Sequence, residues 1–310
     1  MKIIERKLES LSPKIQTSRY NATSSNIEIL LSPNDLGVMR NRGRNGSRYA
    51  PKAIINALKK LNHHLPLKEN ESILLTEVFA QSQNGEEFGQ FQENSFQDIK
   101  SLLSKQTPKK VTHIGGGHDH VFPFLRAIDQ LESVENILIL NIDAHCDTRI
   151  DHLNHSGTPF RNFDKMASKP FHLVQIGIQH FANSKSTLSE LTNGSEKKFF
   201  IDELTRMTEN FQQVPQSLLN GCPFEITEKT ALVFSLDCDG IDGKDMPAVS
   251  SVNPHGIPFH FLLKLLRFYH QQETSQKFLG IYEFNPLFDD VGASSAKKIA
   301  SFIYEDLMAL

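Results

Sequence analysis

Ile137-Leu-Ile-Leu140-Asn-Ile-Asp143-Ala-His145-Cys-Asp147 decides the fold. Its first half is continuously apolar, as a strand buried on both faces of a parallel sheet must be. Its second half gathers two carboxylates and an imidazole where that strand should end. In an extended backbone alternate side chains share a face, so Asp143, His145 and Asp147 are expected to point the same way. Such a convergence costs too much desolvation unless a cation or a partner compensates it. Cys146, between the donors, is expected to turn away and pack as a small buried hydrophobe.

Two further clusters repeat the arrangement. Gly115-Gly-Gly-His118-Asp119 follows the apolar Val111–Ile114, and Ser235-Leu-Asp237-Cys-Asp239 follows Ala231–Phe234. Further strand-length runs are Asn26–Leu31, Ile73–Val78, Leu173–Ile178, Lys198–Ile201 and Phe278–Tyr282. Helical patterns alternate with them at Pro51–Leu61, Phe96–Leu103, Val121–Leu131, Leu204–Leu219, Phe259–Tyr269 and Ala296–Met308. The alternation predicts an α/β fold with a mainly parallel sheet covered on both faces. In such sheets ligands bind beyond the carboxyl ends of the strands, where every one of these clusters falls. The stretches Gln81–Gln92 and Arg149–Lys169 read as long loops. No internal repeat or linker divides the chain, so residues 1–310 are expected to form one domain.

Composition narrows the function. A net charge of -3 over 310 residues gives no long-range attraction to nucleic acid or anionic membrane. No apolar stretch reaches the roughly 18 residues of a spanning helix. Three cysteines form no disulfide framework, and Met1-Lys-Ile-Ile-Glu-Arg lacks the apolar core of an export signal, so a cytoplasmic location is expected.

A single Asp-x-His triplet can be nothing more than a capped strand end. Three clusters at three strand ends, all built from Asp and His, point instead to a metal centre. Carboxylate-rich sites suit hard octahedral ions such as Mn or Mg, whereas structural zinc favours Cys-rich tetrahedra. The six donors His118, Asp143, His145, Asp147, Asp237 and Asp239 exceed the needs of one ion and suffice for two with bridging carboxylates. Paired ions lower the pKa of a shared water and generate a hydroxide nucleophile, so the expected chemistry is hydrolysis.

Gly-Gly-x-His, Asp-Ala-His-x-Asp and Ser-x-Asp-x-Asp, in that order, resemble the arginase, or ureohydrolase, family, over about residues 35–286. The resemblance implies a three-layer α/β/α fold around an eight-stranded parallel sheet and two Mn2+ ions per chain. One ion would take His118, Asp143, Asp147 and Asp237; the other would take Asp143, His145, Asp237 and Asp239. It further implies a homo-oligomer. Within the family, three features are similar to the formimidoylglutamase branch. They are Asp35-Leu-Gly-Val-Met-Arg-Asn41-Arg-Gly-Arg44-x-Gly46, Arg149 after the metal motif, and Ser156-Gly157-Thr-Pro-Phe160. Glu283, before Phe-Asn-Pro286, matches the acidic residue that grips the amidine-like group. The segment Asp242–Gly256 departs from the family pattern by extra residues and a missing Pro-Gly.

These residues imply hydrolysis of N-formimidoyl-L-glutamate to L-glutamate and formamide in histidine degradation. Asp147 would carry a proton, and Glu283 would hold the substrate nitrogen. Arg149, Arg44, Asn41, Ser156 and Gly157 would face a small amidine substrate that bears carboxylates. An arginine offers a bidentate fork to a carboxylate, whereas agmatine has none to recognise. The alternatives are an agmatinase or guanidino-acid hydrolase and, less in keeping with six intact donors, a non-catalytic protein of the same fold. His155 stands one position early for the histidine that agmatinases place before Gly-Thr.

Overall fold

Four strands at the centre of the computed structural model end level with one another, and the candidate donors begin where they stop. These are β4 (Lys110–Gly115), β9 (Gln276–Tyr282), β8 (Thr230–Asp237) and β5 (Asn136–Ile142), adjacent in that order. Ile114 pairs with Ile281, Ile281 with Leu236 and Leu236 with Ile142, so the parallel register aligns all four carboxyl ends. The structure describes residues 3–7, 27–61, 73–78, 88–105, 110–274 and 276–309.

The sheet is completed by β1 (Ile3–Lys7), β2 (Ile27–Ser32), β3 (Ile73–Glu77), β6 (Phe171–Ile178) and β7 (Ser195–Phe200). The order is β1-β3-β2-β4-β9-β8-β5-β6-β7, parallel throughout. All eight expected strands are present, and β1 adds a ninth along the β3 edge. Side chains of β5 show why the strand reads as continuously apolar. Leu138 and Leu140 enter one core, and Ile137 and Ile139 enter the other.

Helices α2 (Ala50–Leu61), α7 (Phe259–His270) and α8 (Ser294–Met308) cover the first face, burying Ile54, Leu58, Phe261, Leu265, Phe302 and Ile303. Helices α3 (Phe88–Lys105), α4 (Val121–Asp129) and α5 (Pro159–Met166) cover the second with Phe96, Ile99, Phe124, Ile128, Phe160 and Phe163. Helix α2 is amphipathic: Ile54, Ile55 and Leu58 are buried while Lys52, Asn56, Lys59 and Lys60 are exposed. The three-layer α/β/α expectation is met.

Three local expectations are corrected. Residues 149–169 are not one long loop, because Thr158-Pro159 starts α5, with proline in the first turn where its missing N–H costs nothing. Of the stretch 81–92, residues 81–87 lie outside the described residues and the remainder is already helical in α3. Leu204–Leu219 is not one helix. α6 (Ile201–Met207) stops where Glu209, Asn210 and Phe211 adopt left-handed φ values of 49°, 58° and 67°. Phe211 and Val214 still pack against the core, so burial alone accounts for the apolar periodicity there.

Candidate metal centre

Five of the six donors stand on turns beyond the strands, and only Asp237 lies on a strand, as the last residue of β8. β5 ends at Ile142, so Asp143, His145 and Asp147 occupy the coil beyond it, and Asp147 is left-handed with φ 52°. Strand alternation therefore does not explain their convergence; the turn does. His118 opens a 3-10 turn, His118–His120, shortly after β4, and Asp239 lies in another, Cys238–Gly240, after β8. Gly240 is required where these turns meet: a Cβ there would come within 2.7 Å of Asp143 N and Cα.

All six donors are brought together. His118 Nδ1 lies 3.1 Å from Asp143 Oδ2, 2.9 Å from Asp147 Oδ2 and 3.1 Å from Asp237 Oδ2. His145 Nδ1 lies 3.5 Å from Asp143 Oδ1 and 3.3 Å from Asp239 Oδ2. Two groups result, His118–Asp143–Asp147–Asp237 and Asp143–His145–Asp239, sharing Asp143. Asp237 belongs to the first group only, and its Oδ1 accepts the Asp239 N–H at 2.9 Å.

The chemistry of this donor set fits hard divalent cations. Four buried carboxylates face two imidazoles, an imbalance that burial makes costly without added positive charge. Burial, then neighbouring carboxylates, push the Asp237 and Asp147 carboxyls above their usual range. Asp143 is the exception: burial raises it, but the two imidazoles outweigh burial and hold it below. Burial would depress His118, yet the three surrounding aspartates keep it well above the ordinary imidazole value. Asp239 Oδ1 is buried without a hydrogen-bond partner, as an atom aimed at an ion would be.

Residues around the donors fix them. His118 Nε2 is 2.9 Å from Ser235 Oγ, and the imidazole stacks on Tyr282 at 5.1 Å and meets Phe160 edge-on at 5.4 Å. A partner on one ring nitrogen orients the other toward the carboxylates. Sequence reasoning quoted Ser235 but gave it no task, although its place two residues before Asp237 puts both on one face of β8. Cys146 and Cys238 are fully buried free thiols, pushed up by burial, and neither belongs to the two groups.

Glu283 follows β9 with φ 62°, a strained conformation for a non-glycine residue. Its N–H donates to Gly116 O at 2.7 Å, and its Oε1 accepts the His118 N–H at 3.0 Å. Burial pushes its carboxyl up to about 8; the His118 N–H opposes this, and Asp239, Asp119 and Asp147 reinforce it.

The remaining expected site residues separate into two places. Arg149 Nη1 donates to Asn41 Oδ1 at 2.7 Å, Asn41 Nδ2 donates to Ser156 Oγ at 3.1 Å, and the Arg149 guanidinium lies against Gly157. Asn41 caps α1 (Leu36–Arg40). Arg44 is engaged elsewhere: Nε and Nη2 donate to the Ser250 and Val249 carbonyls, and the guanidinium covers Phe288 at 4.0 Å. The departing segment 242–256 closes on itself through Asp242 N–H to Ile257 O and Gly243 N–H to Asn253 O. Ala248 O then accepts the Asn285 N–H, tying the segment to the chain beyond Glu283. His155 is held by Asp151 at 2.8 Å and by the Gly157 N–H at 3.0 Å.

Helices on both faces of a parallel sheet, with a buried His/Asp cluster at its carboxyl edge, define an arginase-like α/β fold with a site suited to a metal. The arginase family model matches residues 25–309, so the chain belongs to the arginase family and is a hydrolase acting on amidines. It is similar to formimidoylglutamase of Klebsiella pneumoniae (strain 342), 26% identical over 273 residues, 86% of this chain and 81% of that protein. Its fold is similar to that of Trypanosoma cruzi formiminoglutamase with Mn2+2. There the TM-score is 0.74 at 20% identity, covering 94% of this chain and 95% of the other. Bacillus subtilis formimidoylglutamase has a TM-score of 0.73 at 18% identity, covering 97% and 96%. At such identities the structural likeness speaks for the fold.

Proposed function

We propose that this chain, acting as one domain in the cytoplasm, hydrolyses N-formimidoyl-L-glutamate to L-glutamate and formamide in histidine degradation. Two manganese ions would be held by His118, Asp143, Asp147 and Asp237 and by Asp143, His145, Asp237 and Asp239. Asp237 would turn to join the second set. Bound there, the ions supply a water of lowered pKa as the attacking nucleophile. Water oxygen adds to the formimidoyl carbon, the bond from that carbon to the glutamate nitrogen breaks, and the nitrogen leaves with an added proton. Asp147, beside His118, carries that proton. Glu283 receives the formimidoyl nitrogen, its backbone held by Gly116. A homo-oligomer is the assembly that the family membership favours.

The observation that carries the substrate choice is the Arg149–Asn41–Ser156 array. Arg149 follows the donor Asp147 by two residues, and Asn41 engages one edge of its guanidinium. A half-buried guanidinium prepared in this way suits a substrate carboxylate. Arg149→Ala is expected to raise KM for formimidoylglutamate, by about tenfold to a hundredfold, since a hydrogen bond to a charged group is worth about 1.5–3 kcal/mol. Arg149→Lys should recover only part, because an ammonium cannot reproduce the fork. An unchanged KM in Arg149→Ala would contradict the assignment.

A further inference from the structure

Asp147, Thr148 and Arg149 are consecutive, and each has its backbone tied to the start of α5. Asp147 O accepts the Phe160 N–H at 3.2 Å, Thr148 O accepts Arg161 Nε at 3.1 Å, and the Arg149 N–H donates to Gly157 O at 3.1 Å. Only the middle tether is made by a side chain, and that side chain is a buried cation. Arg161 is 4% exposed. Nη1 donates to Glu190 O at 2.8 Å, and Nη2 donates to Ser189 O at 2.9 Å and Ser189 Oγ at 3.0 Å. Asp164 Oδ2 stands 4.0 Å away, while its carboxylate accepts the N–H groups of Thr192, Asn193 and Gly194. Thr148 is held from its other side as well, Oγ1 donating to Thr187 O at 2.6 Å.

Burying a guanidinium mainly against carbonyl oxygens, with the Asp164 carboxylate at 4.0 Å rather than in hydrogen-bond contact, is an expensive way merely to fill space. Its geometry serves a purpose that packing would not require. The planar fork joins the Thr148 carbonyl to the adjacent carbonyls of Ser189 and Glu190, a span that a point charge cannot bridge. The clamped turn includes the left-handed Asp147, a conformation that persists only when its surroundings over-determine it.

We propose that Arg161 is a positioning residue that fixes the Asp147–Arg149 turn, and so sets the Asp147 carboxylate and the Arg149 guanidinium in register with each other. The inference rests on the roles proposed for Asp147 and Arg149. Arg161 touches neither substrate nor ion; it acts through the backbone between them. Misplacement of such groups by about 1 Å can cost about a hundredfold in rate.

Arg161→Lys keeps the charge and loses the fork. The expected result is a cooperatively melting protein that still binds metal to saturation, with kcat/KM for formimidoylglutamate down by about tenfold or more. Adding Arg149→Ala to this variant should raise KM by less than it does in the wild type, since the two changes act on one turn. Wild-type kcat and KM per metal-loaded site would overturn the inference, as would strictly additive KM effects. If Arg149→Ala alone leaves KM unchanged, the substrate reading fails, and the kcat of Arg161→Lys decides the clamp through Asp147. If Arg161→Lys does not fold, Thr148→Val removes the Oγ1 bond to Thr187, the other side-chain tether of the same turn. It should then lower kcat/KM at full metal content, and unchanged constants would overturn the proposal.

Discussion

His118 is oriented by Ser235, whose Oγ lies 2.9 Å from Nε2 and leaves Nδ1 facing three aspartates. Loss of such a partner typically lowers metal affinity about tenfold to a hundredfold. Ser235→Ala is therefore expected to weaken metal binding by that order while leaving the fold intact. Competition with a chelator of known affinity measures it, and wild-type affinity in the variant would show that packing on Tyr282 and Phe160 alone fixes the ring.

Asp147 combines a left-handed backbone with a carboxylate against His118. Asn tolerates left-handed φ better than most residues, so Asp147→Asn should preserve the turn while removing the charge. At saturating metal its turnover is expected to fall by about 10²–10⁴-fold, the usual contribution of a general acid–base group. Near-normal turnover at full metal occupancy would remove the proton-transfer role.

His113 gives the protein a pH dependence separate from the metal donors. It is fully buried on β4 between Ser32 Oγ at 2.9 Å and Tyr282 OH at 3.1 Å. Burial, reinforced by His120, holds its pKa well below the ordinary value. It is neutral when folded but takes a proton near pH 6.5 when unfolded. The unfolded state thus binds more protons below that pH, and stability falls as pH drops from about 6.5 toward the depressed folded pKa. The slope is at most about 1.4 kcal/mol per pH unit. Denaturant unfolding of chelated protein should show a flatter pH dependence for His113→Gln than for the wild type between about pH 5 and 6.5. Parallel curves would contradict this.

The central strands could be read from the sequence because burial on both faces leaves runs such as Ile137–Leu140 without polar interruption, whereas the half-buried β7 showed only its closing Phe-Phe. β1 could not, since Ile-Ile-Glu-Arg-Lys at a sheet edge carries no such run. Helix α5 is short, and its Phe160 and Phe163 are separated by Arg161 and Asn162; the Thr-Pro start was its legible signal. The six donors were legible as residue types at strand ends, but the reason for their convergence was not. Left-handed Asp147 and the two 3-10 turns depend on tertiary contacts that no periodicity encodes. Arg44 and Arg149 look alike in sequence, and only the packed loops send one to the Val249 and Ser250 carbonyls and the other to Asn41.

The most direct measurement is kcat/KM of the manganese-loaded wild-type protein for N-formimidoyl-L-glutamate and for agmatine, with both products quantified. The expected result is formamide and L-glutamate in equal amounts and a clear preference for formimidoylglutamate, because Arg149 has a carboxylate to meet only in that substrate. Preference for agmatine, or no formamide release at full metal occupancy, would contradict the proposed function and make the chain a different amidine hydrolase of the same family.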